Sequence, residues 1–147
     1  MLTMKELLGS AKLEDQSPEI QKNLQITLDK VNKVRAKWAK AMTPTSGLRT
    51  MNDHIRIYKD LASKKKRPFE NGIYDESKVP KKTKHLFGQA VDVSDPKLEI
   101  TAWLKANPEI LEEADLYCEE GNSNWVHFQS VPFGSYKKGG TRWFKPY

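Results

Sequence analysis

Two histidines and one aspartate carry most of the chemical interest of this chain. The stretch "KHLFGQAVDV", residues 84–93, places His85, Gly88 and Asp92 in the pattern H-x-x-G-x-A-x-D. A later stretch, "NWVHFQ", adds His127. A carboxylate set between two valines is costly to bury unless a partner compensates it. Two neutral imidazoles and a carboxylate suit zinc. Three protein ligands also leave a fourth coordination position open, which distinguishes a catalytic zinc site from a structural one. The expectation is one zinc ion per chain, held by His85, Asp92 and His127.

Ligands so far apart in sequence need separate elements to bring them together. His85 is expected in a loop, with Gly88 allowing the turn that leads back over it. Asp92 falls in "GQAVDVSD", apolar and β-branched enough for a buried strand. His127 falls in a second strand, with Trp125 on the same face by the period of two. "DLYCEE", "GNSN" and "NWVHFQSV" read as strand, tight turn and strand. Upstream, Ser17 as N-cap and Pro18 in the first turn open a long helix predicted to run to Met42. Ile20, Leu24, Leu28, Val31, Val34, Trp38 and Met42 form its apolar stripe. Pro44 ends it, and residues 43–50 read as a short strand or turn. Residues 51–66 read as a second helix with Ile55, Tyr58 and Leu61 on one side and His54 structural or exposed rather than catalytic. Residues 64–84 hold seven Lys, one Arg and two Pro without clear period, which predicts a long surface loop. Asp95-Pro96 is expected to start a helix with Ile100, Trp103 and Leu104 inward, stopped at Asn107-Pro108. A helical turn is expected over 109–114, Cys118 in the core, and a last strand in "TRWFKPY". Trp125, Phe133, Trp143 and Phe144 either line a groove or fill the core. Early helices and late hairpin strands predict a single α+β domain over 1–147, with a helical part over 1–42 and the metal-site core over 43–147.

At 147 residues one domain is the natural expectation. A net charge of +6 and a pI near 9.3 favour an anionic partner: nucleic acid, a membrane surface or a wall polymer. "SKKKRP" and "KKTK" lack interleaved aromatics and offer only unspecific phosphate attraction, so no specific nucleic acid is expected. A single cysteine rules out an internal disulfide and a Cys-rich zinc knuckle. No stretch approaches the length of a membrane span. The opening "MLTMKELLGSAKLEDQ" lacks the pattern of a signal peptide, which points to synthesis in the cytoplasm. A monomer is expected.

"TKHLFGQAVDV" followed by "WVHFQ" resembles the zinc peptidases that act on bacterial wall peptides. These include the zinc D-alanyl-D-alanine carboxypeptidases and the phage L-alanyl-D-glutamate endopeptidases. Their pattern is S-x-H-x-x-G-x-A-x-D, then a W-x-H segment; here Thr83 stands in the place of the Ser. "SGLRT" likewise resembles their "SGYRS" segment. The resemblance implies a small antiparallel sheet with helices packed on it, the fold shared with the Hedgehog signalling domain. It implies hydrolysis of peptidoglycan stem peptides, with carboxypeptidase and endopeptidase action both open. Without a signal peptide, it implies a phage-type lysis enzyme made in the host cytoplasm and acting on the cell wall.

Arg49 matches the family's active-site arginine, suited to a peptide carboxylate or a developing oxyanion. Thr83 and Asn124 are the further candidates for substrate binding. Many relatives carry an acidic general base three positions before the last His, where this chain has Asn124. An even-length hairpin turn would put Glu120 on the face of His127, and an odd one Glu119; Glu120 is the expected base, because two- and four-residue loops both give its register. The alternative is an inactive binding module of the same fold that holds zinc for structure alone.

Overall fold

The computed structural model describes residues 1–145. Its chain order is α1 (Met4–Leu8), α2 (Pro18–Lys37), β1 (Pro44–Ser46), α3 (Met51–Ser63), β2 (Ala90–Ser94), α4 (Glu99–Ala106), α5 (Glu109–Ala114), β3 (Tyr117–Glu119), β4 (Trp125–Gln129) and β5 (Trp143–Phe144). The class is α+β, as expected. The five strands lie in the order β1-β2-β4-β3-β5. All neighbours are antiparallel except β3 and β5, which run parallel. The sheet is therefore mixed rather than purely antiparallel, because the chain crosses back before β5. Pro146 and Tyr147, the end of the expected last strand, lie outside the described residues.

Alternation along β2 and β4 decides which side of the sheet does what. Val91, Val93, Val126 and Phe128 point to one face and are almost wholly buried, joined by Cys118. They pack with Leu24, Val31, Val34, Ile100, Leu104 and Leu111 from the helices into one core. The opposite face carries Asp92, His127 and Gln129.

Helix α2 starts as expected, with the Ser17 hydroxyl accepting from the Ile20 N–H and Pro18 in the first turn. It ends at Lys37, not Met42. The chain turns at Ala39 (φ 23°), and Met42 reaches the core from beyond the helix. Helix α4 begins at Glu99, later than expected, because Leu98 sits in a left-handed conformation. Asp95 caps it from upstream, accepting from the N–H groups of Ile100 (3.0 Å) and Thr101 (2.9 Å).

Helix α3 turns Tyr58 and Leu61 inward as expected, but its most deeply buried residues are others. His54 and Ala62 are its buried positions, while Ile55 is only partly covered. The segment 64–84 also departs from a plain surface loop. Phe69 and Val79 are buried with Ala62, and Tyr58, Leu61 and Tyr74 pack around them as a second, smaller core. Its lysines stay in solvent while a few apolar anchors, spaced without period, fold the segment against α3. Among the described residues no helix is long and apolar enough to cross a membrane.

Candidate metal centre

Strand register assembles the centre. Asp92 on β2 lies directly opposite His127 on β4. Ser46 on β1 pairs with Asp92 on its other side. β3 pairs Cys118 with Phe128, so the next step along the ladder brings Glu119 beside His127. Phe144 on β5 pairs with Glu119 and sets its ring 6.0 Å from the His127 ring. One transverse row of the sheet thus runs from Ser46 through Asp92, His127 and Glu119 to Phe144.

His85 enters from a 3-10 turn over Lys84–Phe87 that ends at Gly88. Gly88 has φ 71°, and a Cβ there would lie 2.9 Å from the Leu24 side chain of α2. Both the backbone conformation and the close approach of α2 therefore select glycine. The Thr27 hydroxyl of α2 donates to the Gly88 carbonyl at 2.9 Å. His85 and the 47–49 segment exchange two hydrogen bonds. The His85 ring donates from Nδ1 to the Gly47 carbonyl (2.9 Å), and the Arg49 N–H donates to the His85 carbonyl (3.0 Å). Gly47 is itself forced, since a Cβ there would collide with the Leu7 carbonyl.

The tautomers follow from the acceptors. A carbonyl oxygen only accepts, so His85 Nδ1 carries the proton and Nε2 is bare. Gln129 donates its amide to the Val131 carbonyl (2.9 Å), which turns its oxygen toward His127 Nε2 at 3.2 Å. His127 Nε2 then carries a proton and Nδ1 is bare. The two bare nitrogens face one carboxylate: His85 Nε2 is 3.4 Å and His127 Nδ1 is 2.9 Å from Asp92 oxygens. Three lone-pair donors, all within 4.8 Å of one another, converge on one point. Such a cluster could hold a metal cation. Zinc bonds of about 2.0–2.2 Å at tetrahedral angles separate ligand atoms by roughly 3.4 Å. The His85–Asp92 spacing matches that separation, and the His127–Asp92 pair is somewhat tighter. Outer oxygens on both distal nitrogens orient the rings as metal-site histidines require. The donor set and its orientation could hold a metal ion, and its two imidazoles and carboxylate are ligand types that zinc accepts.

The charges of the centre are interlocked. Burial alone would raise the Asp92 carboxyl, but the hydrogen bonds and positive charge that His127 and His85 bring to it once a proton sits on the facing nitrogens outweigh burial and hold the carboxyl far below its ordinary range. Burial alone would lower His127, yet the Asp92 hydrogen bond and charge, with Glu119 beyond, raise it. Glu119, with an oxygen 4.0 Å from His127 Nδ1, is pushed up by its own burial. Arg49 is pulled down by burial, opposed by the charge of Asp92.

A cleft of about 490 Å³ opens over the centre. Arg49, Thr83, Glu119, Trp125 and Phe144 line it with the three candidate ligands. The hairpin register overturns the expected position of Glu120. The ladder leaves an odd number of residues in the turn, so Glu119 takes the face of His127 while Glu120 pairs with Lys105 at 2.8 Å. Asn124 is exposed at the hairpin end, with its amide 3.5 Å from the Ser123 hydroxyl and no part in the lining. Trp125 and Phe144 belong to the cleft, while Phe133 and Trp143 line a neighbouring cavity of about 510 Å³ that shares Phe144. Cys118 is in the core. Gln129 was not singled out from sequence, although "HFQ" places it on the face of His127 by the period of two. Compared with protein-family models, curated proteins and solved structures, the chain finds no match in any of the three.

Proposed function

We propose that the chain is a zinc-dependent hydrolase of peptide bonds in peptidoglycan stem peptides, with the Hedgehog/DD-peptidase fold and a phage-type role in lysing the bacterial cell wall. The observation that carries this reading is the convergence of His85 Nε2, Asp92 and His127 Nδ1 in an open cleft beside a half-buried carboxylate. A zinc ion bound there would supply Lewis acidity toward the scissile carbonyl and make a water molecule easier to deprotonate.

The chain's own residues account for the remaining roles. Glu119 takes the proton of the attacking water on a carboxylate oxygen and returns it to the leaving amine. Its raised pKa suits a group that must both accept and release a proton. Arg49 holds a substrate carboxylate or carbonyl through its planar guanidinium. Its Nε is buried without a hydrogen-bond partner, which leaves donor capacity for a bound acceptor. Thr83 lines the same wall and offers a hydroxyl to the peptide backbone. Phe144 and Trp125 flank the centre and limit water around it.

The decisive experiment is hydrolysis of purified peptidoglycan, followed by mass analysis of the released peptides, with and without a chelator. Peptide-bond cleavage that stops on chelation and returns with zinc is expected. Zinc bound at about one per chain without any cleavage would leave the reading of a zinc-stabilised binding module, which Asn124 in place of an acid also favours. A chain that retains no zinc would overturn both.

A further inference from the structure

His54 is fully buried on α3, and none of the roles described so far uses it. Its two ring nitrogens have different partners. Nε2 lies 2.5 Å from the Pro80 carbonyl, and Nδ1 lies 3.2 Å from Arg49 Nη1. The carbonyl can only accept, so Nε2 carries the proton. Nδ1 is left as a bare acceptor, and the guanidinium donates to it. Burial favours the neutral ring, and the neighbouring charge of Arg49 acts in the same direction. Tyr58 packs edge-on against the imidazole with ring centres 4.8 Å apart. Each of these contacts restricts the ring to one orientation.

We propose that His54 is a positioning residue for Arg49: its neutral Nε2–H tautomer, anchored on the Pro80 carbonyl, fixes the direction in which the guanidinium faces the cleft. Arg49 has a long side chain with many rotamers, and a directional acceptor reduces the entropy lost when substrate binds. The same ring links Arg49 to the loop that supplies Pro80, Lys82 and Thr83 to the cleft wall. The kinetic part of this inference rests on the reading of Arg49 as a substrate contact.

Two substitutions separate positioning from packing. His54→Asn keeps a side-chain oxygen near the place of Nδ1, able to accept from Arg49, but does not reach Pro80. His54→Gln reaches Pro80 and leaves Arg49 without its acceptor. With a synthetic stem peptide bearing a free carboxylate, His54→Gln should raise KM about tenfold with a smaller change in kcat. His54→Asn, which keeps the acceptor but loses the Pro80 anchor, should raise KM by clearly less than His54→Gln does, and both should keep their zinc. Losses that follow melting temperature equally in the two variants would make His54 purely structural and overturn the proposal. A readout independent of catalysis is the long-range ¹H–¹⁵N spectrum of the imidazoles at neutral pH. The His54 signal, assigned by its loss in His54→Gln, should show the Nε2–H tautomer, with Nδ1 shifting in Arg49→Ala. An Nδ1–H or doubly protonated ring would overturn the inference whether or not peptides are cleaved. The expected tautomer and Arg49-dependent shift in a chain that cleaves nothing would remove the proposed function and leave the His54–Arg49 pairing supported.

Discussion

The two faces of β2 and β4 are built from alternate residues of the same ten positions, yet they obey different rules. On one face Val91, Val93, Val126 and Phe128 are held by dispersion and exclusion of water, interactions that need shape but no direction. On the other, His127 and Gln129 are held by hydrogen bonds of defined donor and acceptor, and Asp92 faces an imidazole nitrogen from each of two histidines. The apolar face fixes the backbone, and the backbone fixes where the polar atoms stand. Polar groups buried at this depth stay favourable only while every partner remains in place. The faces should therefore fail in different ways, one losing stability and the other losing chemistry.

The largest effect is expected at the ligands. His85→Ala, Asp92→Ala and His127→Ala should each take bound zinc from about one per chain to essentially none. Elemental analysis of the three purified variants reads this directly. Undiminished zinc in all of them would break the distinction between the faces.

Phe128→Ala, one position along β4 and on the opposite face, should behave the other way. A fully buried phenylalanine leaves a cavity on truncation, costing about 3–5 kcal/mol. The denaturation midpoint should fall accordingly, while the chain that remains folded still binds zinc.

Glu119→Gln should keep zinc and melting temperature and lower turnover roughly 10²–10⁴-fold. Glu120→Gln loses only a partly exposed pair with Lys105 and should hydrolyse like the parent. The reverse outcome would mean that the hairpin is paired one residue out of step.

A smaller, graded effect concerns pH. His127 is raised, so its protonated form persists above the ordinary imidazole range near ~6.5. A proton on Nδ1 and a zinc ion compete for the same lone pair, so zinc affinity should fall as the pH is lowered through that range. The loss is at most about tenfold per pH unit for each proton displaced. Competition with a chromogenic chelator between pH 5 and 8 measures it, and a flat profile would remove Nδ1 from the ligand set.

Much of this was legible in the chain. Val-Asp-Val and Val-His-Phe alternate in steps of two, which by itself sends the valines and phenylalanine one way and the candidate ligands the other. The Ser17-Pro18 cap and the 3,4-spaced stripe from Ile20 to Val34 likewise follow from local geometry. These signals survive in one dimension because strand and helix periods act between near neighbours. What tertiary structure alone decided has no such local signature. The choice of Glu119 over Glu120 depends on how the hairpin ladder closes, and one residue of register exchanges the two faces. The small core of Phe69 and Val79 rests on apolar residues without period. The parallel pairing of β5 needs the chain to cross back over the sheet. His54 reads as an ordinary polar residue until the fold brings Arg49 and the Pro80 carbonyl to its two nitrogens. Each of these is a contact between distant segments, and sequence period says nothing of which distant segments meet.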